Sequence, residues 1–170
     1  QEEIEFLINH EKRNEFICNL GASLKKNSLI LFSRNTHGKN IFDIYPDEQF
    51  YEYTKKPNKF FDLPSKYNLT FSYKGRNTAV CKEILEKKYN VAVVFNVKKN
   101  RPLPAMFGDY KVIDGDISDF RPKDAKGVII GLRFKRIANQ KAQKKIINSP
   151  FVVNPAECNV LETAKALVTV

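Results

Sequence analysis

Three carboxylates fall within six residues, Asp114, Asp116 and Asp119, and Asp124 follows close behind. Closely set carboxylates supply hard oxygen ligands, so Asp114 and Asp116 form a candidate Mg²⁺ pair that leaves water positions open for a phosphate. The same groups, with Asp119, could instead share a proton as an acid–base set. The structural alternative is that Asp-Gly-Asp makes a tight turn and that Asp119 pairs with Arg121 or caps a turn. An EF-hand is excluded, because that loop needs glycine at its sixth position, where Asp119 stands.

Other side chains offer charge or stacking. Lys55 could approach a phosphate or, if desolvated, act as a nucleophile; a solvated lysine after a strand is the plainer reading. Tyr51 and Tyr53 alternate onto one face of their strand, where they could stack on bases or pack a core. The basic run of Lys135, Arg136, Lys141, Lys144 and Lys145 could contact a phosphate backbone or form a solvated face. His37, beside Gly38, is a candidate base in a polar loop or simply a loop residue.

The elements that must position these groups point to an α/β fold with a mainly parallel sheet. Residues 2–26 carry apolar side chains at three- and four-residue spacings, a helical lead-in with a break near Asn9 or His10. Residues 28–32 read as a short apolar strand, and residues 41–45 as one helical turn before Pro46. Residues 49–54 and 67–73 alternate as strands. Asn77 stands as the N-cap of a helix over residues 78–88, and residues 90–97 form the next strand. Strand, turn, helix and strand in that order make a βαβ unit, which implies parallel strands and a right-handed crossover. Residues 98–107 read as a proline-bearing loop, residues 110–113 and 127–134 as strands flanking the acidic loop. Residues 137–147 read as a short basic helix or a loop, residues 149–153 as an edge strand, and residues 157–168 as weakly helical. The whole, residues 1–170, reads as one domain with a helical lead-in (1–26), a strand-rich core (28–153) and a tail (154–170).

In parallel β/α folds, ligands bind at the carboxyl ends of the strands. That rule gathers Arg34, Tyr53, Lys55, Ser72, Tyr73, Asn96, Asp114, Asp116 and Arg133 onto one rim, with Arg121 in the acidic loop as a further phosphate ligand. The expected division of labour gives phosphate to Arg34, Tyr53, Ser72, Arg121 and Arg133, catalysis to Lys55 with Asp114, Asp116 and Asp119, and metal to Asp114 and Asp116.

The totals bound the partners. The chain of 170 residues carries a net charge of +10, which favours nucleotides, nucleic acid or another anionic surface. Three widely spaced cysteines and two histidines argue against a structural zinc or cysteine-ligated iron–sulfur centre within this chain and suit free thiols in a reducing cytoplasm. No apolar run approaches the length of a membrane span. The sequon at Asn68 lies within an expected strand and is read as unmodified.

Several blocks in the same order carry a resemblance: residues 50–58, 68–73, 90–95, Leu103-Pro104, 112–116, Asp119, Arg121, 127–132 and 151–153. Over residues 41–153 the chain resembles a bacteriophage family related to the phage gene-88-type proteins. The resemblance implies a fold like half of a β/α barrel, and a host-cytoplasmic setting for a phage-encoded chain. Longer members carry an N-terminal cysteine-bearing segment with no counterpart here. Residues 11–39 also look like the entry to the second RecA-like lobe of phage helicases, although the phosphate-loop pattern is missing. The functional expectation is a domain that binds or processes a nucleotide or nucleic acid at the strand rim. The alternatives are a non-catalytic module for nucleic acid or a host protein, and a fragment of a larger barrel enzyme.

Overall fold

A computed structural model of the chain describes residues 2–24, 43, 48–60 and 66–158. They fall into two units, residues 1–50 and 51–170. The strand expected at residues 28–32, all of the turn at 41–45 but residue 43, and most of the helix at 157–168 lie outside the described residues, as do Arg34 and His37.

The first unit holds two helices, α1 (Glu2–Asn9) and α2 (Glu11–Ser23), separated at His10. The break has a local cause. His10 is in extended conformation, and its Nδ1 accepts from the Arg13 amide, capping α2.

The second unit is built on a sheet with strands β1 (Phe50–Thr54), β2 (Tyr67–Ser72), β3 (Asn90–Phe95), β4 (Met106–Phe107), β5 (Tyr110–Asp114), β6 (Ile129–Arg133) and β7 (Val152–Val153). The order is β1-β2-β3-β6-β5-β4, with β7 also on β3. The pairs β2–β3, β3–β6, β5–β6 and β3–β7 are parallel, and β4–β5 is antiparallel. The fold is therefore α/β with a mostly parallel mixed sheet. Its strand order departs from a β/α barrel, where strands successive along the chain are neighbours. Here β6 inserts between β3 and β5, so the expected barrel likeness does not carry over.

The reason β3 sits at the centre is written in its composition. Asn-Val-Ala-Val-Val-Phe is almost unbroken apolar sequence, which suits a parallel strand covered on both faces. Val91, Val93 and Phe95 are fully buried on one face, with Leu69, Phe71, Ile129 and the helix α3 (Thr78–Glu86). Burying side chains of this size contributes about 1.5–3 kcal/mol each. Ala92 turns to the opposite face, where it packs with Val128 and Ile130. Asn90 is the polar exception and is fully used: its Nδ2 donates to Ala125 O at 2.8 Å and its Oδ1 accepts from Val128 N at 3.2 Å. That side chain fixes the start of β3 against the approach to β6.

Asn77 precedes α3 as expected, but it does not cap it through its side chain. Its Oδ1 accepts from Lys74 N at 2.9 Å and its Nδ2 donates to Ser72 O at 3.1 Å, so it staples the turn that leaves β2. The turn matters because β2 and β7 share one edge of β3. Thr70, Phe71 and Ser72 pair with Asn90, Val91 and Ala92; Val152 and Val153 then take over at Val94 and Phe95. The segment expected as an edge strand pairs with β3 alone, alongside that strand's second half. The basic segment forms α4 (Gln140–Ile147), capped by Asn139, whose Oδ1 accepts from Ala142 N at 3.0 Å. Strand β4 lies within the stretch read from sequence as loop.

Candidate functional site

The two connections that leave the carboxyl ends of β3 and β6 pass to opposite faces of the sheet. After β3, Val97, Leu103 and Phe107 pack on the α3 face. After β6, Phe134, Lys135 and then Phe151 border a cleft on the other face. Neighbouring parallel strands whose connections diverge in this way leave a crevice at their carboxyl ends. The crevice is an open cleft of about 440 Å³ lined by Tyr53, Val94, Asp116, Asp119, Leu132, Arg133, Phe134, Lys135 and Phe151.

Strand alternation supplies the floor. Val94 shares its face with Ala92, and Leu132 shares its face with Ile130. Tyr53 forms a wall from β1 and is 41% exposed. Burial of its ring raises its phenol pKa, with the positive charge of Arg121 opposing that shift. Tyr51 packs on the same face, edge to face with Phe120 at 5.9 Å.

At the rim stands a three-residue ion cluster. Arg133 donates to both oxygens of Asp114 at 2.8 Å and to Asp116 Oδ2 at 3.0 Å. Its backbone amide also donates to Asp116 Oδ2, at 2.9 Å, and its Nε donates to Arg101 O at 3.1 Å. Asp116 N donates to Asp114 Oδ1, closing the Asp-Gly-Asp turn. Arg133 therefore holds the Asp114 carboxyl below the usual carboxylate range, and the carboxylates hold the guanidinium protonated. Both oxygens of Asp114 and Oδ2 of Asp116 are bonded to Arg133. A cation bridging Asp114 and Asp116 would compete with Arg133 at Asp114. Among the described residues no three His, Cys, Asp or Glu side chains converge as a metal-binding group.

The loop between β5 and β6 straps across the same face. Arg121, expected on the rim as a phosphate ligand, is instead interior at 1% exposure. Its Nη2 donates to Gly115 O at 3.2 Å, and its Nε lies 3.3 Å from Asp124 Oδ2. Asp124, not Asp119, is its countercharge. Burial raises the Asp124 pKa, with Arg121 opposing that shift. Gly115 is needed for space. A Cβ there would come within 2.5 Å of Ile130 Cγ2 and 3.0 Å of Arg121 Nη1. The strap thereby presents Asp116 and Asp119 to the cleft.

The remaining candidates divide. Lys55 is absent from the lining but places Nζ 5.9 Å from the ring centroid of Phe151, a cleft wall. Ser72 is half-buried on the floor's face of β2, yet outside the lining. Tyr73 turns to the opposite face and is buried there. Asn96 bonds to Asn154 at 3.0 Å. Lys135 lines the cleft, whereas Arg136, Lys141, Lys144 and Lys145 are exposed beyond it. Sequence reasoning did not single out Val94, Leu132, Phe134 or Phe151. Alternation within 90–95 and 129–133 marks the first two once the buried face is known, but nothing local marks the two phenylalanines.

A family model for gene product 88 matches residues 31–149, well over half of the chain. The chain belongs to the gene product 88 family of phage proteins. Most of what forms the cleft lies inside the matched stretch: the gene product 88 region contributes Tyr53, Val94, the strap and the end of β6, and Phe151 stands just beyond it. The helicase resemblance of residues 11–39 finds no support in the match. No curated protein and no solved structure matches the chain.

Proposed function

We propose that this gene product 88 domain binds a nucleotide, free or within a nucleic-acid strand, in the cleft at the carboxyl ends of β3 and β6. The observation that carries the reading is the union of three rings with the Lys135 cation, beside an Arg133 already paired with Asp114 and Asp116. Tyr53, Phe134 and Phe151 surround the apolar floor of Val94 and Leu132, and Arg133 and Lys135 stand in the same lining. A nucleobase offers two apolar faces and polar edges, and stacking on aromatic side chains contributes about 1–3 kcal/mol per base. Asp119 supplies an acceptor on the same wall for a ribose hydroxyl or an exocyclic amine. The chain's net charge of +10 favours an anionic partner. The ion pairing of Asp114 and Asp116 with Arg133 supports binding over metal-assisted catalysis, since a metal bridging the two would compete with the guanidinium for the Asp114 oxygens. Three free cysteines accord with a cytoplasmic setting.

The test is thermal melting and calorimetric titration with nucleoside mono-, di- and triphosphates, with and without Mg²⁺. Saturation at about 100 times Kd stabilises the fold by about 2.7 kcal/mol, which raises Tm by several degrees. Val94→Lys, which puts a charge on the floor, abolishes the rise. Unchanged melting with every nucleotide, or an unchanged rise in Val94→Lys, overturns the proposal. Binding that vanishes on chelating Mg²⁺ returns the carboxylates to a metal role.

A further inference from the structure

Helix α4 is the excursion between two stretches that both border the cleft. Lys135 lies before it and Phe151 after it, and both line the crevice. An eight-residue helix is about 12 Å long, so its cations cannot stray far from that opening. Lys141, Lys144 and Lys145 recur at three- and four-residue spacing and are exposed, while Ile146 and Ile147 are half-buried. The charge is also unmixed. Between Asp124 and Glu157 the chain has seven Lys and Arg residues and no carboxylate. A solvated helix face ordinarily interleaves both signs, which pair at this spacing. This one has none of the acidic partners.

We infer that the ligand of the cleft is a single-stranded polynucleotide: one base enters between the rings, and the adjoining phosphates run over Lys135, Arg136 and the lysine face of α4. The inference rests on the cleft reading and sharpens it from nucleotide to strand. Single strands are favoured over duplex because a base reaches a ring-lined crevice only when it is unstacked and unpaired. A free nucleotide satisfies the rings but leaves the α4 cations unused.

The experiment is fluorescence anisotropy with labelled oligo-dT and oligo-rU of one to twelve nucleotides, and with a hairpin duplex, over a salt series. Affinity rises by about tenfold or more as the strand lengthens past the cleft, and the log–log salt slope reflects the phosphates engaged. The triple variant Lys141→Gln, Lys144→Gln, Lys145→Gln lowers that slope by about 2, since each neutralised phosphate of a single strand contributes about 0.7. Its circular dichroism and its mononucleotide affinity remain those of the parent. Val94→Lys removes both mononucleotide and strand binding. If the mononucleotide binds but length adds nothing, or the triple variant keeps its slope, the inference falls and the cleft reading stands. If strands bind through α4 with Val94→Lys unaffected, the cleft reading falls and the inference with it. A duplex bound as tightly as a single strand also overturns the inference.

Discussion

Arg133 at the end of β6 grips both carboxylate oxygens of Asp114 at the end of β5, each at 2.8 Å, across two neighbouring parallel strands. The contact joins the sheet to the strap, because the same guanidinium holds Asp116. Asp114 and Asp116 are thereby both tied to Arg133 at the rim.

Asp114→Asn tests that role. Hydrogen bonds to charged groups contribute about 1.5–3 kcal/mol, and the partial exposure of this pair places the loss near the lower end. Urea denaturation of Asp114→Asn, Arg133→Gln and the double variant should show coupling of about 1 kcal/mol. The pH dependence has a definite sign. The folded-state pKa of Asp114 is lowered by Arg133, so its contribution is present above the unfolded value, about 3.9, and is lost as pH falls through the lower folded value. The acid limb of the Tm profile should therefore be shallower in Asp114→Asn than in the parent. Equal limbs would detach Asp114 from acid stability.

Arg121 anchors the strap from within. Arg121→Ala leaves Asp124 without its countercharge beneath the loop, and breaking a buried pair by removing one partner costs about 3–5 kcal/mol. The strap carries Asp116 and Asp119, so ligand affinity should fall in a variant that still melts cooperatively. Hydrogen exchange localises the effect: faster exchange confined to residues 115–128 is expected, and uniform acceleration across β3 would contradict it.

Gly75 sets the turn that frees the second half of β3 for β7. Its φ is +90°, and a Cβ there would meet Pro150 Cβ at 2.2 Å and Pro150 C at 2.4 Å. Gly75→Ala should destabilise by about 2–4 kcal/mol in urea, in the range of combined backbone strain and overpacking. A loss below about 0.5 kcal/mol, the level of an ordinary surface change, would show that the approach to Pro150 is not required.

The local pattern carried the β2-α3-β3 unit, the strands around the acidic loop and the break at His10, because periodicity and capping are properties of short stretches. Neighbour relations were not legible. Nothing local places β6 between β3 and β5, or brings Val152 alongside Val94. Strand β4 escaped because two residues, Met106 and Phe107, are too few to show alternation. The site divided the same way. The strand-end rule reached Arg133, Asp116 and Tyr53, which do meet at the cleft. It could not show that Arg133 binds both carboxylates, since that depends on the register of β5 against β6. Arg121, read from the sequence as a phosphate ligand, was misjudged because an arginine in a polar loop is ordinarily solvated and its burial depends on Asp124 and Gly115.

The most direct measurement is heteronuclear NMR of the isotope-labelled chain titrated with a thymidine or uridine nucleotide. Nucleotide binding in the cleft gives saturable shifts concentrated at Tyr53, Val94, Leu132–Lys135 and Phe151, with Val91 and Ile129 on the opposite face little changed. Shifts centred on the α3 face, or a spectrum unaltered at millimolar nucleotide, would contradict it.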